Sequence, residues 1–248
     1  MRIAVLSDVH GNLPALDAVL AAIEEDGVDL TVNLGDLLSG YVRPAATADR
    51  LIAAGLATVA GNHERQLLTL PPERQGMADR VTGELITDRH RRWLASLPAT
   101  LSPRADILAF HGTPQDDLQY LLHTVDPRGG ARDATEDEVR ERLGDIRRYA
   151  LLLCGHTHLP GSRRLPDGPL IVNPGSAGWP AYADDAPFPH VMEAGTPHAR
   201  YAVVDDASGT WEVDFRQVAY DWEQAAALAE GFGRPDVAGA LRTGRVAS

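Results

Sequence analysis

The chain has 248 residues, 44% hydrophobic and 23% charged, a balance that excludes a disordered or fibrous protein and allows one large core. Asp and Glu number 35 against 23 basic residues, a net charge of -12, which argues against electrostatic capture of long nucleic acids. Every basic residue is arginine, so Schiff-base, P-loop and general-base lysine chemistry are all excluded.

The opening RIAVLS, residues 2–7, predicts a buried strand. Leu13, Leu16, Val19, Leu20 and Ile23 then recur at helical spacing behind Asn12, a side chain suited to capping a helix N-terminus. Short apolar runs at 29–34, 56–60, 106–110 and 150–154 predict further strands, with helices expected over 45–54, 87–97 and 135–143. This alternation predicts an α/β fold with largely parallel strands. After Gly155, residues 170–173 predict another strand, and RYAVVDD and TWEVDFRQVAYD, joined by Ala-Ser-Gly, predict a β-hairpin. Helices are expected near 222–230 and 235–241. No repeat, low-complexity tract or linker divides the chain, so 1–248 reads as a single domain. No secretory signal and no apolar run near the roughly 20 residues of a membrane span is visible. The lone cysteine, Cys154, cannot form an internal disulfide, which fits a reducing compartment. The expected location is cytoplasmic, with no membrane partner, and nothing in the sequence fixes an oligomeric state.

The turns that follow these strands carry the chemistry. They read SDVHGN, GDLLSG, GNHER, HGTP and GHTH, each with a glycine beside Asp, His or Asn. In α/β sheets the carboxyl ends of parallel strands gather at one edge, where ligand sites form. Asp8, His10, Asp36, Asn62, His63, His111, His156 and His158 are thereby expected to meet. His156 and His158, two positions apart on an extended segment, point the same way. Carboxylates and imidazoles together suit two divalent cations of the Mn, Fe, Zn, Ni or Co type. Asp36 can bridge such ions with its two oxygens, and Asn62 can donate an amide oxygen.

The order D-x-H, G-D, G-N-H-[DE], H, G-H-x-H, present as DVH, GD, GNHE, HG and GHTH between Asp8 and His158, resembles the signature of the calcineurin-like metallophosphoesterases. The resemblance implies one metal held by Asp8, His10, Asp36 and His158, a second held by Asp36, Asn62, His111 and His156, and His63 beside them as a catalytic residue. GNHE also offers Glu64 as an orienting partner for His63. It also implies a four-layer αββα sandwich of two mixed β-sheets flanked by helices, with 170–173 and the strands around 200–220 in the second sheet. Protein phosphatases of the family carry an arginine in a G-D-x-x-D-R-G stretch. Here the stretch is GDLLSGY, which speaks against that activity. The length, HGTP and NPGS at Asn173–Ser176 look like the small bacterial phosphodiesterase branch. The implied reaction is in-line attack of a metal-bridging hydroxide on a small phosphoester, with Mn the preferred ion. A phosphomonoesterase or dinucleoside polyphosphate hydrolase is the alternative. A catalytically silent metal-binding scaffold is the non-enzymatic one.

Other positions are read individually. Cys154, inside an aliphatic strand, is expected in the core, and His90 on a solvated helix face. Segment 113–136, long for a connection and following a proposed ligand, is read as a cap over the site. Its Tyr120, Arg128 and Arg132 are candidates for stacking on a base or binding phosphate. Segment 181–201, with His190 and His198, is either a loop at the mouth or an oligomer contact.

Overall fold

The structure, a computed structural model, describes residues 1–146, 148–166 and 168–247. Its first half runs β1 (Arg2–Leu6), α1 (Leu13–Asp26), β2 (Leu30–Asn33), α2 (Pro44–Ala54), β3 (Ala57–Thr58), α3 (Asn62–Thr69), α4 (Met77–Leu85), α5 (Asp88–Ala95), β4 (Thr100–Leu101) and β5 (Ile107–Phe110). It continues with β6 (His123–Val125), β7 (Ala131–Asp133), α6 (Glu136–Leu143), β8 (Leu151–Leu153), β9 (Pro160–Arg164), β10 (Leu170–Pro174), β11 (Ala181–Asp184), β12 (His190–Glu193), β13 (Ala199–Asp205), β14 (Glu212–Val218), α7 (Trp222–Gly231) and α8 (Pro235–Thr243). Asn12 caps α1 as expected, its side chain accepting from the Ala15 N–H at 3.2 Å.

Two five-stranded sheets, ordered β14-β13-β1-β2-β3 and β4-β5-β8-β10-β9, stack face to face. Strands β1, β2 and β3 are parallel, as are β5, β8 and β10; antiparallel β13 and β9 make both sheets mixed. Their side chains alternate between two buried environments, as expected for strands covered on both faces. Ile3, Val5, Val32, Ile107, Ala109, Leu151, Leu153 and Val172 fill the layer between the sheets. Ala4 and Leu6 face a core shared with α1, α2 and α5, while Leu108, Phe110, Leu152 and Ile171 face α6 through Val139 and Leu143. These four layers are the αββα sandwich.

The late strands divide between the sheets instead of sharing the second one. Strand β10 lies beside β8, whereas the β13–β14 hairpin pairs with β1. The cause lies in β1, whose Ile3, Ala4, Val5 and Leu6 are fully buried. Such a strand needs neighbours on both sides, and β13 supplies the second ladder, pairing Ile3 with Val204 and Val5 with Ala202. Among the described residues no helix is long and apolar enough to cross a membrane.

Candidate metal centre

Register fixes where the site forms. Leu6 lies opposite Asn33 and Asn33 opposite Thr58, so the turns carrying Asp8, Asp36 and Asn62 leave one sheet at one edge. Ala109 lies opposite Leu153 in the other sheet, which delivers His111 and His156 to the same edge. The turns are stitched together: the Asp8 N–H donates to Gly35 O, His10 N–H to Asp36 O and Gly155 N–H to His111 O, at 2.7 to 3.0 Å. A sixth segment, 173–179, ties the outer turns. The Ser176 hydroxyl donates to Asp8 O at 2.8 Å, and the Asn173 amide donates to Gly155 O at 2.7 Å and to the Thr157 hydroxyl at 3.0 Å.

Asp8, His10, Asp36, His156 and His158 have φ between +49° and +71° and are the non-glycine residues in the left-handed region among the described residues. Each such conformation costs of order 1 kcal/mol or more and persists where the surroundings enforce it. Space is equally tight at Gly61, where an added Cβ would stand 2.2 Å from Asp36 Oδ1. All five strained residues point chemistry into one place.

There the side chains form two groups, Asp8, His10 and His158, and Asp36, His111 and His156, with ligand atoms within 4.8 Å of one another in each. Asp36 Oδ2 stands between them, 3.1 Å from His111 Nε2 and 3.9 Å from His10 Nε2. Asn62 Oδ1 lies 3.1 Å from His111 Nε2, its amide turned that way by donation from Nδ2 to Gln66 Oε1 at 3.3 Å. Backbone carbonyls fix the imidazole tautomers. His10, His111 and His158 donate Nδ1–H to Ser39 O, Leu34 O and Trp179 O, which turns Nε2 inward. His156 donates Nε2–H to Leu118 O at 3.1 Å, which leaves Nδ1 facing the site.

The family model described as the calcineurin-like phosphoesterase superfamily domain matches residues 1–193. The chain belongs to the calcineurin-like phosphoesterase superfamily. A crystal structure of a metallophosphoesterase from Sphaerobacter thermophilus is 26% identical, covers 99% of this chain and 100% of its own, and superposes with a TM-score of 0.74. The crystal structure of a hypothetical protein from Pyrococcus horikoshii shares the fold at a TM-score of 0.76 and 20% identity, with 99% of each chain covered. An uncharacterized protein of Methanocaldococcus jannaschii is 24% identical over 90% of this chain and 89% of its own length.

The donor set of this calcineurin-like phosphoesterase fits two divalent cations. Asp8 Oδ1 is buried with no hydrogen-bond partner among the described residues, yet lies 3.3 Å from His158 Nε2, and His10 Nε2 lies 3.1 Å from His158 Nε2. Acceptors converging this closely without donors call for a cation. Titration divides the imidazoles of the metal-free site. Burial, reinforced by His158, depresses His10 to about 3, and burial with His111 depresses His156 to about 4, so both are neutral. Burial disfavours ionisation of Asp8, yet His158 and His111 hold it down to about 2. Burial opposes a charge on His111 too, but Asp36 and Asp8 raise it to about 10.

His63 lies beside this centre, its ring 5.3 Å from that of His10. Its backbone N–H donates to Asp36 Oδ1 at 3.0 Å, and its Nδ1–H donates to Asp79 Oδ1 at 2.7 Å. Against the effect of burial, Asp36 and Asp79 raise its pKa to about 9. The orienting carboxylate is therefore Asp79 of α4, not Glu64. Glu64 is spent on the turns, accepting from the backbone N–H groups of Asp36, Leu37 and Gly61 at 2.9 Å each. Asp79, in MADR, has no sequence signal. It is a buried carboxylate on a helix whose spacing from His63 is set only by the fold.

Above the centre lies an open cleft of about 740 Å³ lined by His10, Asp36, Asn62, His63, His156 and His158. Tyr120 lines it as well, with its ring 5.0 Å from that of His156 and its hydroxyl bonded to Tyr182 Oη at 2.5 Å and His190 Nε2 at 2.9 Å. Arg128 and Arg132 are not in its wall. The Arg128 side chain is 91% exposed on the β6–β7 turn, beside Asp126, and Arg132, on the exposed strand β7, forks onto Glu138 at 2.7 and 2.9 Å. Tyr182, Ala183 and Asp184 of β11 line the mouth of the cleft, whereas His198 packs on Trp222 away from it. Cys154 is buried, as expected. His90 is buried too, not solvated, bonded through Nε2 to Asp49 at 3.1 Å.

Proposed function

We propose that the protein is a phosphodiesterase working with two divalent cations, one held by Asp8, His10, Asp36 and His158 and the other by Asp36, Asn62, His111 and His156. The extent of the cleft supports a diester. Its wall includes Trp179, whose ring lies 5.1 Å from that of His10 in the first group, and Tyr120, which lies against His156 in the second. Space on both flanks suits a substituent on each side of phosphorus. A monoester would fill one flank.

When bound, the cations supply Lewis acidity to the phosphoryl oxygens and lower the pKa of water towards neutrality. Mixed oxygen and nitrogen donors accept Mn, the ion preferred here among the candidates. The chain's own contributions are positional. Asp79 holds Nδ1–H of His63, which leaves Nε2–H to protonate the departing oxygen. Segment 113–136 acts as a cap, placing Leu118, Tyr120 and His123 in the wall where they exclude water.

The test is to strip the metal, reconstitute with Mn, Ni, Co, Zn or Mg, and compare bis-p-nitrophenyl phosphate with p-nitrophenyl phosphate. Activity should vanish on chelation, return best with Mn, and show a higher kcat/KM for the diester. Preference for the monoester overturns the diester reading, and undiminished turnover without metal overturns the mechanism.

A further inference from the structure

We propose that the flank beyond His10 is a leaving-group subsite for an organic group bearing a second anion, a phosphate or a carboxylate, with Arg234 as its specificity-determining residue. The inference rests on the phosphoesterase reading above and narrows its substrate class. Arg234 lines the same cleft as His10 and His63. Its guanidinium sits 4.5 Å over the Tyr41 ring, the Tyr41 ring packs edge-on to Trp179 at 5.9 Å, and Trp179 packs edge-on to His10 at 5.1 Å. A row of aromatic rings thus leads from a metal ligand to a cation, a surface on which a flat substituent ending in an anionic group can lie. The row runs on the His63 side, since Ala78, beside the Asp79 that holds His63, shares this wall. The group lying there is therefore the one that departs.

Two arginines line the cleft, and Arg234 is the one at the end of the aromatic row. Arg142 is 13% exposed and is consumed in holding the cap, donating to Tyr120 O, Leu121 O, His123 O and the Thr124 hydroxyl at 2.6 to 3.1 Å. Arg234 donates through Nε to Asp236 at 2.8 Å and through Nη2 to the same carboxylate. One Nη1–H meets the Tyr41 hydroxyl, and the other faces the Met77 sulfur at 4.0 Å. Of five guanidinium N–H groups, one on Nη2 is left. Stacking and the fork to Asp236 hold it rigid, so little rotamer freedom is lost when it binds. In a chain of net charge -12, a distal anion needs such a local cation to be tolerated.

Aryl methyl phosphates matched in leaving-group pKa, whose ring carries a phosphonate, a carboxylate or a methyl ester, test this with the Mn-loaded protein. Arg234→Met should raise the ratio of KM for the anionic esters to KM for the uncharged one by about tenfold to a hundredfold, the loss expected for a charge-assisted hydrogen bond. The phosphonate and carboxylate arms tell which anion is preferred. Asp236→Asn, which weakens the competing acceptor, should lower the same ratio. A purely structural ion pair would make both variants lose alike for all three esters, and that outcome overturns the proposal. Calorimetric binding of the free anionic phenols to wild type and both variants gives the same comparison without turnover. If none of the diesters is cleaved, the phosphodiesterase reading fails, while equal phenol affinities in wild type and Arg234→Met would sink the subsite by itself.

Discussion

At His63 two carboxylates share the task of placement. Asp36 takes the backbone N–H and Asp79 takes the ring Nδ1–H, which suits the side chain to the acid role proposed for it. His63→Ala should keep metal content and slow turnover by about 10² to 10⁴-fold. The loss should be far greater for alkyl and nucleotide esters, whose leaving oxygen needs a proton, than for nitrophenyl esters. Equal losses for both ester classes would make His63 an electrostatic stabiliser. Asp79→Asn removes one of the charges that raise the pKa of His63 to about 9. The acid is active below its pKa, so rate falls as pH rises through it. In Asp79→Asn that falling limb should move to lower pH, and an unmoved limb in the pH-rate profile would dissociate Asp79 from the acid. Asp36 reaches both groups through Oδ2. Asp36→Asn should therefore lower occupancy at both, and elemental analysis finding two tightly held ions per chain would count against a bridge.

On the scale of elements, the proposed cap depends on a contact between α6 and the chain ahead of β6. Arg142 satisfies the carbonyls of Tyr120, Leu121 and His123, and Arg142→Ala leaves them short of donors at a cost of about 2 kcal/mol. Proteolysis and amide exchange should rise within 113–136 with metal content unchanged. Protection equal to wild type would show that the cap is held by other means. The elements also differ in how far they could be read from sequence. Helix α1 was legible because Leu16, Val19 and Ile23 turn one apolar face to the core. Helix α3 was not, since the residues it buries are Asn62, Glu64 and Leu67, and an inward face made of site chemistry has no hydrophobic period to detect. The five turns were legible as motifs, but the role of Glu64 in bridging two of them required coordinates, because GNHE places it next to His63 in sequence and under Asp36 and Leu37 in space.

For the molecule as a whole, a rigid sandwich holds five left-handed residues and several buried, converging acceptors in place. The cost falls on the metal-free protein. Cation binding to the folded state alone stabilises by mass action, about 2.7 kcal/mol at a hundredfold excess over Kd, so chelation should lower the unfolding temperature and Mn should restore it; a temperature indifferent to metal would contradict the site. The sequence carried the two-sheet architecture only through its resemblance to a family, because β5, β8 and β10 are as apolar as β1 and nothing in their composition says which sheet they join. One ring contact gives this molecule an optical property. The indole of Trp179 packs edge-on to the imidazole of His10 at 5.1 Å, whereas Trp222 packs at a tilt against His198 and Trp211 lies under Arg104. An ion that changes the electronic state of His10 changes the surroundings of one fluorophore, so the emission of Trp179 is a resident gauge of whether the first metal position is filled, and its replacement by phenylalanine should silence that signal.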